Sequence, residues 1–264
     1  MVLITALLID LDGTMYHGKS PIPGAKAFIN FLEEHKIPFL FVTNNATRSH
    51  AEAQHFLAKY HDIVVDDNHF YSSADALISR LQVSDSQESA FVIGKSALKH
   101  SIEELGYRLE NTNEQAVDVV IVSLDQEVSY QELSFACLAI QNGGSFYLTN
   151  PDIQFPSENG FVPGAGAIAQ VIADVTEQSP IVCGKPEPTI IEGAIDKLGV
   201  PSSDVIVLGD NLLTDIQAGL NADVYSVLIE TGVHHQSDIE MLGVTPDAIV
   251  KNHQEFIERF LIEE

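Results

Sequence analysis

Residues 2 to 14 read Val2-Leu3-Ile4-Thr5-Ala6-Leu7-Leu8-Ile9-Asp10-Leu11-Asp12-Gly13-Thr14, a largely aliphatic run stopped by two carboxylates and a glycine. A run of that length without polar alternation predicts a central strand of a sheet covered on both faces. In an open α/β sheet the ligand crevice lies outside the carboxyl ends of the strands, so Asp10 and Asp12 fall where a site forms. With one residue between them, the pleat predicts that both acids point to one side. Two carboxylates held that close repel, and burying them is costly without a proton, a cation or hydrogen-bond donors. A divalent cation is the simplest compensation. A solvated strand end and a calcium loop are the alternatives; Thr14-Met15-Tyr16-His17 lacks the stepped oxygen ligands of an EF-hand loop.

The whole chain has 264 residues and 45% hydrophobic content, enough for one large domain or two moderate ones. Its 13 basic and 38 acidic residues give a net charge of -25, which repels nucleic acid and anionic membrane surfaces and predicts neither as a partner. The same field repels a phosphorylated metabolite, so a site for one must be made locally positive by a metal, a lysine or backbone N–H groups. Cys137 and Cys183 are too few and too far apart for a disulfide framework or a zinc site, and are read as buried and reduced. The apolar N-terminus has no basic leader and is interrupted by acids, and no other run approaches membrane-spanning length. A soluble cytoplasmic protein is the expectation.

Downstream, Ala25 to His35 predicts a helix and Ile37 to Val42 a second buried strand, ending at Thr43-Asn44-Asn45. Ala46 to Tyr60 predicts a helix, and Ser72-Ser73 caps another running to Leu81. The texture then changes. Strands at 91–93, 117–122 and 146–148 alternate with helices at 97–105 and 130–140, with no acid pair at any strand end, and loop chemistry follows at Asn150-Pro151-Asp152 and Pro163 to Gly166. This predicts a separate small α/β unit, residues 80–179, inserted into a core made of 1–79 and 180–264. The core pattern resumes with a strand at Pro180 to Cys183, ending at Gly184-Lys185-Pro186. A helix from Glu187 to Leu198 and a strand from Asp204 to Leu208 lead to Gly209-Asp210-Asn211. Asp215 lies near the start of a short helix that Gly219 ends. Strands at 224–229 and 248–250 and a helix at 255–262 close the chain.

Four strand ends thus carry polar residues: Asp10 with Asp12, Thr43 with Asn44, Lys185, and Asp210 with Asp215. Parallel strands bring such ends to one rim, and this set suits a hard cation beside a phosphate, magnesium best of all. Taken singly, each has a plainer reading: Thr43, Asn44 and Asp215 as helix caps, Lys185 as a solvated lysine. His50, His55, His61, His234 and His235 fit no ligand spacing and are read as surface or satisfied histidines.

The series Asp10-Leu11-Asp12-Gly13-Thr14, Thr43-Asn44-Asn45, Gly184-Lys185-Pro186 and Gly209-Asp210-Asn211-Leu212-Leu213-Thr214-Asp215, in this order, resembles the haloacid dehalogenase-like (HAD) superfamily of phosphohydrolases, in its NagD-like, nitrophenylphosphatase-like branch. The resemblance covers nearly the whole chain. It implies an α/β fold with a Rossmann-like parallel-sheet core and a second, inserted α/β cap domain, and a Mg2+-dependent phosphatase acting on a small phosphorylated metabolite such as a sugar phosphate, phosphoglycolate or a nucleotide. Carried over, it makes Asp10 the nucleophile that forms an aspartyl-phosphate and Asp12 the general acid and base. Magnesium would be held by Asp10, Asp210 and the backbone carbonyl of Asp12. Thr43, Asn44, Lys185, Asn211 and Thr214 would contact the phosphoryl group, and Asp215 would orient a metal water or Lys185. The cap would select the leaving group, with Asn150 and Asp152 as candidate contacts, and caps of this branch leave a homodimer open. A phosphomutase and a non-catalytic protein binding a phosphorylated ligand are the rivals. A receiver-type signalling domain is disfavoured by the large insert.

Overall fold

The computed structural model describes residues 6–81, 88–110, 117–157 and 160–262, so Val2 to Thr5 of the opening run lie outside it. β1 (Ala6–Ile9) leads into a small hairpin, β2 (Tyr16–His17) and β3 (Ser20–Pro21), followed by α1 (Ala25–Glu34), β4 (Phe39–Thr43), α2 (His50–His61), β5 (Phe70–Ser72) and α3 (Ser73–Arg80). Next come β6 (Ser89–Ile93), α4 (Ser96–Glu104), β7 (Arg108–Leu109), β8 (Val119–Val122), α5 (Tyr130–Gln141), β9 (Ser145–Leu148), β10 (Gln154–Ser157), β11 (Gly160–Pro163), α6 (Ala165–Thr176) and β12 (Ile181–Val182). The chain ends with α7 (Thr189–Leu198), β13 (Val205–Gly209), a π-helical turn over Leu212–Ile216, α8 (Gln217–Asn221), β14 (Tyr225–Ile229), α9 (Ile239–Leu242), β15 (Ala248–Val250) and α10 (His253–Phe260).

Two compact units result: one from residues up to Thr43, His50–Ser72 and Lys185 onward, the other from Asn44–Ser49 and Ser73–Gly184. The first is built on a six-stranded sheet of order β15-β14-β13-β1-β4-β5 in which every neighbouring pair is parallel. β1 stands inside it, and all four of its residues are fully buried. Leu7 and Ile9 pack with Phe28 and Leu32 of α1, Leu57 of α2 and Phe256 of α10. α7 packs on β1 and β4, and α8 on β14, with Ile190, Ile191, Ala194 and Ala218 buried. A strand covered this way must be apolar at every position, which is why the opening run does not alternate. Each such buried aliphatic side chain contributes about 1.5–3 kcal/mol.

The second unit carries a five-stranded parallel sheet of order β12-β9-β8-β6-β7 and the β10–β11 hairpin. Helices α5 and α6 pack on each other and on this sheet through Phe135, Ala136, Ile140, Ile168, Ala169 and Ile172.

Several sequence-based expectations are corrected. The strand expected to resume the core at Pro180 to Cys183 is β12, which pairs with β9 and completes the inserted sheet. Two apolar residues cannot distinguish one parallel sheet from another, and Lys185 consequently does not follow a strand of the core sheet. α2 begins at His50 instead of Ala46, because Asn45 Oδ1 accepts both the N–H (2.9 Å) and the hydroxyl (2.7 Å) of Thr47 in a turn. Gly219 does not end a helix; α8 runs through it to Asn221, and a Cβ there would lie 3.1 Å from Ser226 Cβ and 3.4 Å from Val207 Cβ. Glycine is used at that position for close helix-to-sheet packing. Strand β5, only three residues long, and the β10–β11 hairpin, interrupted by Pro, Ser and Gly, had no counterpart in the sequence reading. Both cysteines are free and buried, as expected. Among the described residues, no helix is long and apolar enough to cross a membrane.

Candidate active site

The register of the sheet delivers two carboxylates side by side. β1 and β13 are paired with Ile9 opposite Leu208, and the Asp10 N–H donates to the Leu208 carbonyl at 2.9 Å, so Asp10 and Asp210 each stand just past a strand end. The π-helical turn then brings Asp215 back beneath Gly209. A Cβ on Gly209 would lie 2.2 Å from Asp215 Cβ, so the approach requires a residue without a side chain. Asp215 Oδ2 accepts the Asn211 N–H at 3.0 Å, which locks the turn. Oxygens of Asp10, Asp210 and Asp215 all lie within 4.8 Å of one another.

Lys185 is placed among these acids. Its Nζ donates to Asp10 Oδ1 at 2.5 Å and to the Val42 carbonyl at 2.8 Å, and lies 2.7 Å from Asp215 Oδ1. The Lys185 and Asp215 side chains are only 4% and 3% exposed, and that of Asp10 12%. Burial works against the Lys185 ammonium, yet Asp10 and Asp215 outweigh it and hold its pKa above the ordinary lysine value.

Asp210 sits in a cradle of loop atoms. Its Oδ1 accepts the Thr14 hydroxyl at 3.2 Å and its Oδ2 the Val233 N–H at 2.7 Å, while its own carbonyl accepts the His234 N–H at 3.1 Å. Two glycines form the cradle walls. A Cβ on Gly13 (φ 94°) would lie 2.3 Å from Asp210 Oδ2, and one on Gly232 would lie 2.0 Å from the same oxygen. The Thr231 hydroxyl donates to the Gly13 carbonyl at 2.8 Å and ties the two walls together.

Crowding shows in the acid strengths. Burial pushes the Asp10 carboxyl well above the ordinary carboxylate range; Asp215 and Asp210 push the same way, and Lys185 opposes them. Burial and Asp215 raise Asp210 to about 7, against the pull of the Val233 N–H and Lys185. With all three carboxylates ionised against one ammonium, two negative charges would stand in a largely buried space, the charge a divalent cation would neutralise. The donors are all hard oxygens, which suits Mg2+ better than a softer metal. Both oxygens of Asp215 are engaged, by Lys185 and the Asn211 N–H, as both oxygens of Asp210 are by Thr14 and Val233.

The remaining expected residues are distributed as follows. Asp12 lies beyond the end of β1, where the chain has already turned: Thr14, Met15 and Tyr16 direct their N–H groups at the Leu11 carbonyl, and Asp12 is exposed. The pleat argument for two acids on one side therefore does not apply, since the strand stops at Ile9. Thr43 is the last residue of β4, half-buried and in register with Ser72. The Asn211 side chain caps the π-helical turn by accepting the Leu213 N–H at 2.9 Å, and Thr214 is half-buried within that turn. Asn44, Asn150 and Asp152 gather within the second unit. There Asn44 Nδ2 donates to both Asp152 oxygens at 3.3 Å, and the Asn44 carbonyl accepts from Asn150 Nδ2 (2.8 Å) and the Ser73 hydroxyl (2.7 Å).

Sequence reasoning missed Thr14, Thr231, Gly232, Val233 and His234, all contributors to the Asp210 cradle. The signal available was the Thr-Gly pair at 231–232, one residue beyond a largely apolar strand ending at Ile229. Of the two readings given for His234, surface or satisfied, the second holds: its Nδ1 accepts the Leu212 N–H at 3.1 Å, and burial lowers its pKa.

The chain is similar to known proteins over nearly its whole length. Residues 7–108 match a family model described as haloacid dehalogenase-like hydrolase, and residues 182–256 match one described as HAD-hydrolase-like. The chain is 38% identical over 252 residues to an acid sugar phosphatase of Staphylococcus aureus, covering 96% of each protein. It superposes on a single mutant of the thermostable NPPase from Geobacillus stearothermophilus with a TM-score of 0.89 and 36% identity, covering 99% of this chain and 100% of that one. The glycerol phosphate phosphatase Rv1692 from Mycobacterium tuberculosis, crystallised in complex with magnesium, matches with a TM-score of 0.88 and 28% identity over 96% of this chain and 76% of its own.

Proposed function

This chain belongs to the haloacid dehalogenase-like hydrolases, as a phosphatase of that family, and on that premise we propose that it hydrolyses phosphomonoesters of small metabolites through a phosphorylated Asp10, with Mg2+ as cofactor. The observation that carries this reading is the buried Lys185 ammonium, in contact with Asp10 and Asp215 and beside Asp210.

In this reading an Asp10 oxygen attacks phosphorus, the ester oxygen leaves with a proton from the Asp12 carboxyl, and a phosphoryl-Asp10 bond forms. The Asp12 carboxylate then takes a proton from water, which attacks the same phosphorus and returns Asp10 and free phosphate. This double role requires an Asp12 carboxyl whose pKa is tuned toward the working pH. Lys185 holds Asp10 Oδ1, fixes the orientation of the nucleophile and offers positive charge to the phosphoryl oxygens. Asp10, Asp210 and the Asp12 carbonyl are the groups proposed to hold Mg2+. When bound, the cation would offset charge on the transferring phosphoryl group. Thr43, Asn44, Asn211 and Thr214 are proposed as further contacts of that group, and Asn150 and Asp152 as residues of the insert that bear on leaving-group choice.

The names of the relatives favour sugar and glycerol phosphates as substrates. The test is phosphate release from p-nitrophenyl phosphate and a panel of sugar phosphates, glycerol phosphates, phosphoglycolate and nucleotides, with Mg2+ and with EDTA. Mg2+-dependent release from at least one natural ester supports the reading. Isomerised sugar phosphate in place of free phosphate, or ligand binding without turnover, would replace it with a mutase or a binding protein.

A further inference from the structure

We propose that His234 is a positioning residue for the Asp210 carboxylate, acting through the lone pair on its Nδ1. A backbone amide can only donate, so the Leu212 N–H at 3.1 Å requires Nδ1 to be the unprotonated ring nitrogen and places the ring proton on Nε2. The same residue's N–H donates to the Asp210 carbonyl, and its neighbour Val233 donates to Asp210 Oδ2. Residues 233 and 234 therefore hold Asp210 at two places, the carboxylate and the main chain, and the segment that follows it at a third, the Leu212 amide. That amide opens the turn whose far end carries Asp215. Without an acceptor on residue 234, the Leu212 amide loses its partner and the start of the turn loses its tie to the 231–234 loop, leaving Asp210 joined to that loop only at residue 210 itself.

The inference rests on the reading that Asp210 holds the divalent cation, and its test separates the two. Asn places Oδ1 on Cγ, where histidine has Nδ1, and keeps the acceptor. Gln moves its oxygen one bond further out, and Leu removes it. Mg2+ binding is measured on the purified proteins by calorimetry without substrate, and Mg2+-dependent phosphate release in parallel. His234→Asn is expected to bind Mg2+ within roughly twofold of the parent, and His234→Gln and His234→Leu about tenfold more weakly, the scale of outer contacts to metal ligands. Substrate KM at saturating Mg2+ should change little in all three. Circular dichroism and cooperative melting identify any variant that has not folded, and the Gln and Leu proteins stand in for each other. Parent-like Mg2+ affinity in the Gln or Leu protein, or an Asn protein as weak as these, overturns the proposal. A parent protein that binds no Mg2+ and releases no phosphate defeats the functional reading instead.

Discussion

Lys185 Nζ stands 2.7 Å from Asp215 Oδ1, an ion pair in which both side chains are almost wholly withdrawn from water. Such a pair is no proof of added stability, but breaking it from one side leaves buried carboxylates without a counter-charge. Lys185→Met should therefore reduce turnover at least about 100-fold, as expected when a group facing developing phosphoryl charge is lost. It should also lower stability at pH 8 by up to about 3 kcal/mol, and by less at pH 5, where the carboxyls take up protons. Chemical denaturation at the two pH values checks this; equal losses at both would show that packing, not charge, is what Lys185 supplies.

Asp210 sets a pH dependence of metal binding. Its pKa rises from 3.8 to about 7, so below neutrality Mg2+ must displace a proton from it. The half-saturating Mg2+ concentration should fall as pH rises from 6 to 8, by up to about tenfold per unit on the acid side. The sign for stability without metal is the reverse. A raised carboxyl favours the fold fully below 3.8, and that contribution is lost as pH rises through about 7, so the thermal gain from Mg2+ should be larger at pH 8 than at pH 5. Calorimetry and melting curves in EDTA and in Mg2+ measure both quantities, and tighter Mg2+ binding at pH 6 than at pH 8 would rule the linkage out.

His253 acts in the opposite sense. Buried beside Phe28, with ring centroids 5.2 Å apart, it is lowered from 6.5 to about 4, chiefly by burial. Its stabilising contribution is complete above pH 6.5 and is lost as pH falls toward 4, since the unfolded chain takes the proton first. Because Asp210 changes in the same range with opposite sign, the comparison must be between proteins. The stability difference between the parent and His253→Leu should shift against the parent on going from pH 7 to pH 5; a difference independent of pH would contradict the assignment.

Gly232 carries no chemistry of its own, yet a Cβ there would lie 2.0 Å from Asp210 Oδ2. Gly232→Ala should displace the carboxylate and weaken Mg2+ binding about tenfold or more, as disturbing the support of a metal ligand does. The melting temperature in EDTA should change far less than Mg2+ affinity. Parent-like affinity would mean that the loop yields without moving Asp210.

The core strands were legible in the sequence because burial on both faces forces apolar residues at every position of β1 and β13. Asp10 and Asp210 were legible because a carboxylate directly after such a run is conspicuous. Lys185 could be chosen by type, but not for the reason given: it follows a strand of the other sheet, and a two-residue strand such as β12 has no periodicity to assign it. Thr14, Gly232 and His234 were not legible, since their role depends on loops brought to Asp210 only by the fold. Threonine, glycine and histidine in a loop look the same whether or not they hold a carboxylate.

The central claim is that Asp10 bonds to phosphorus. It is tested most directly by acid-quenching the enzyme during turnover of a phosphomonoester with Mg2+ and mapping phosphorylated peptides by mass spectrometry. The account predicts a phosphoryl group on Asp10 in the parent, and neither adduct nor turnover in Asp10→Asn. Parent-like turnover in Asp10→Asn, or an adduct confined to another residue, would contradict it.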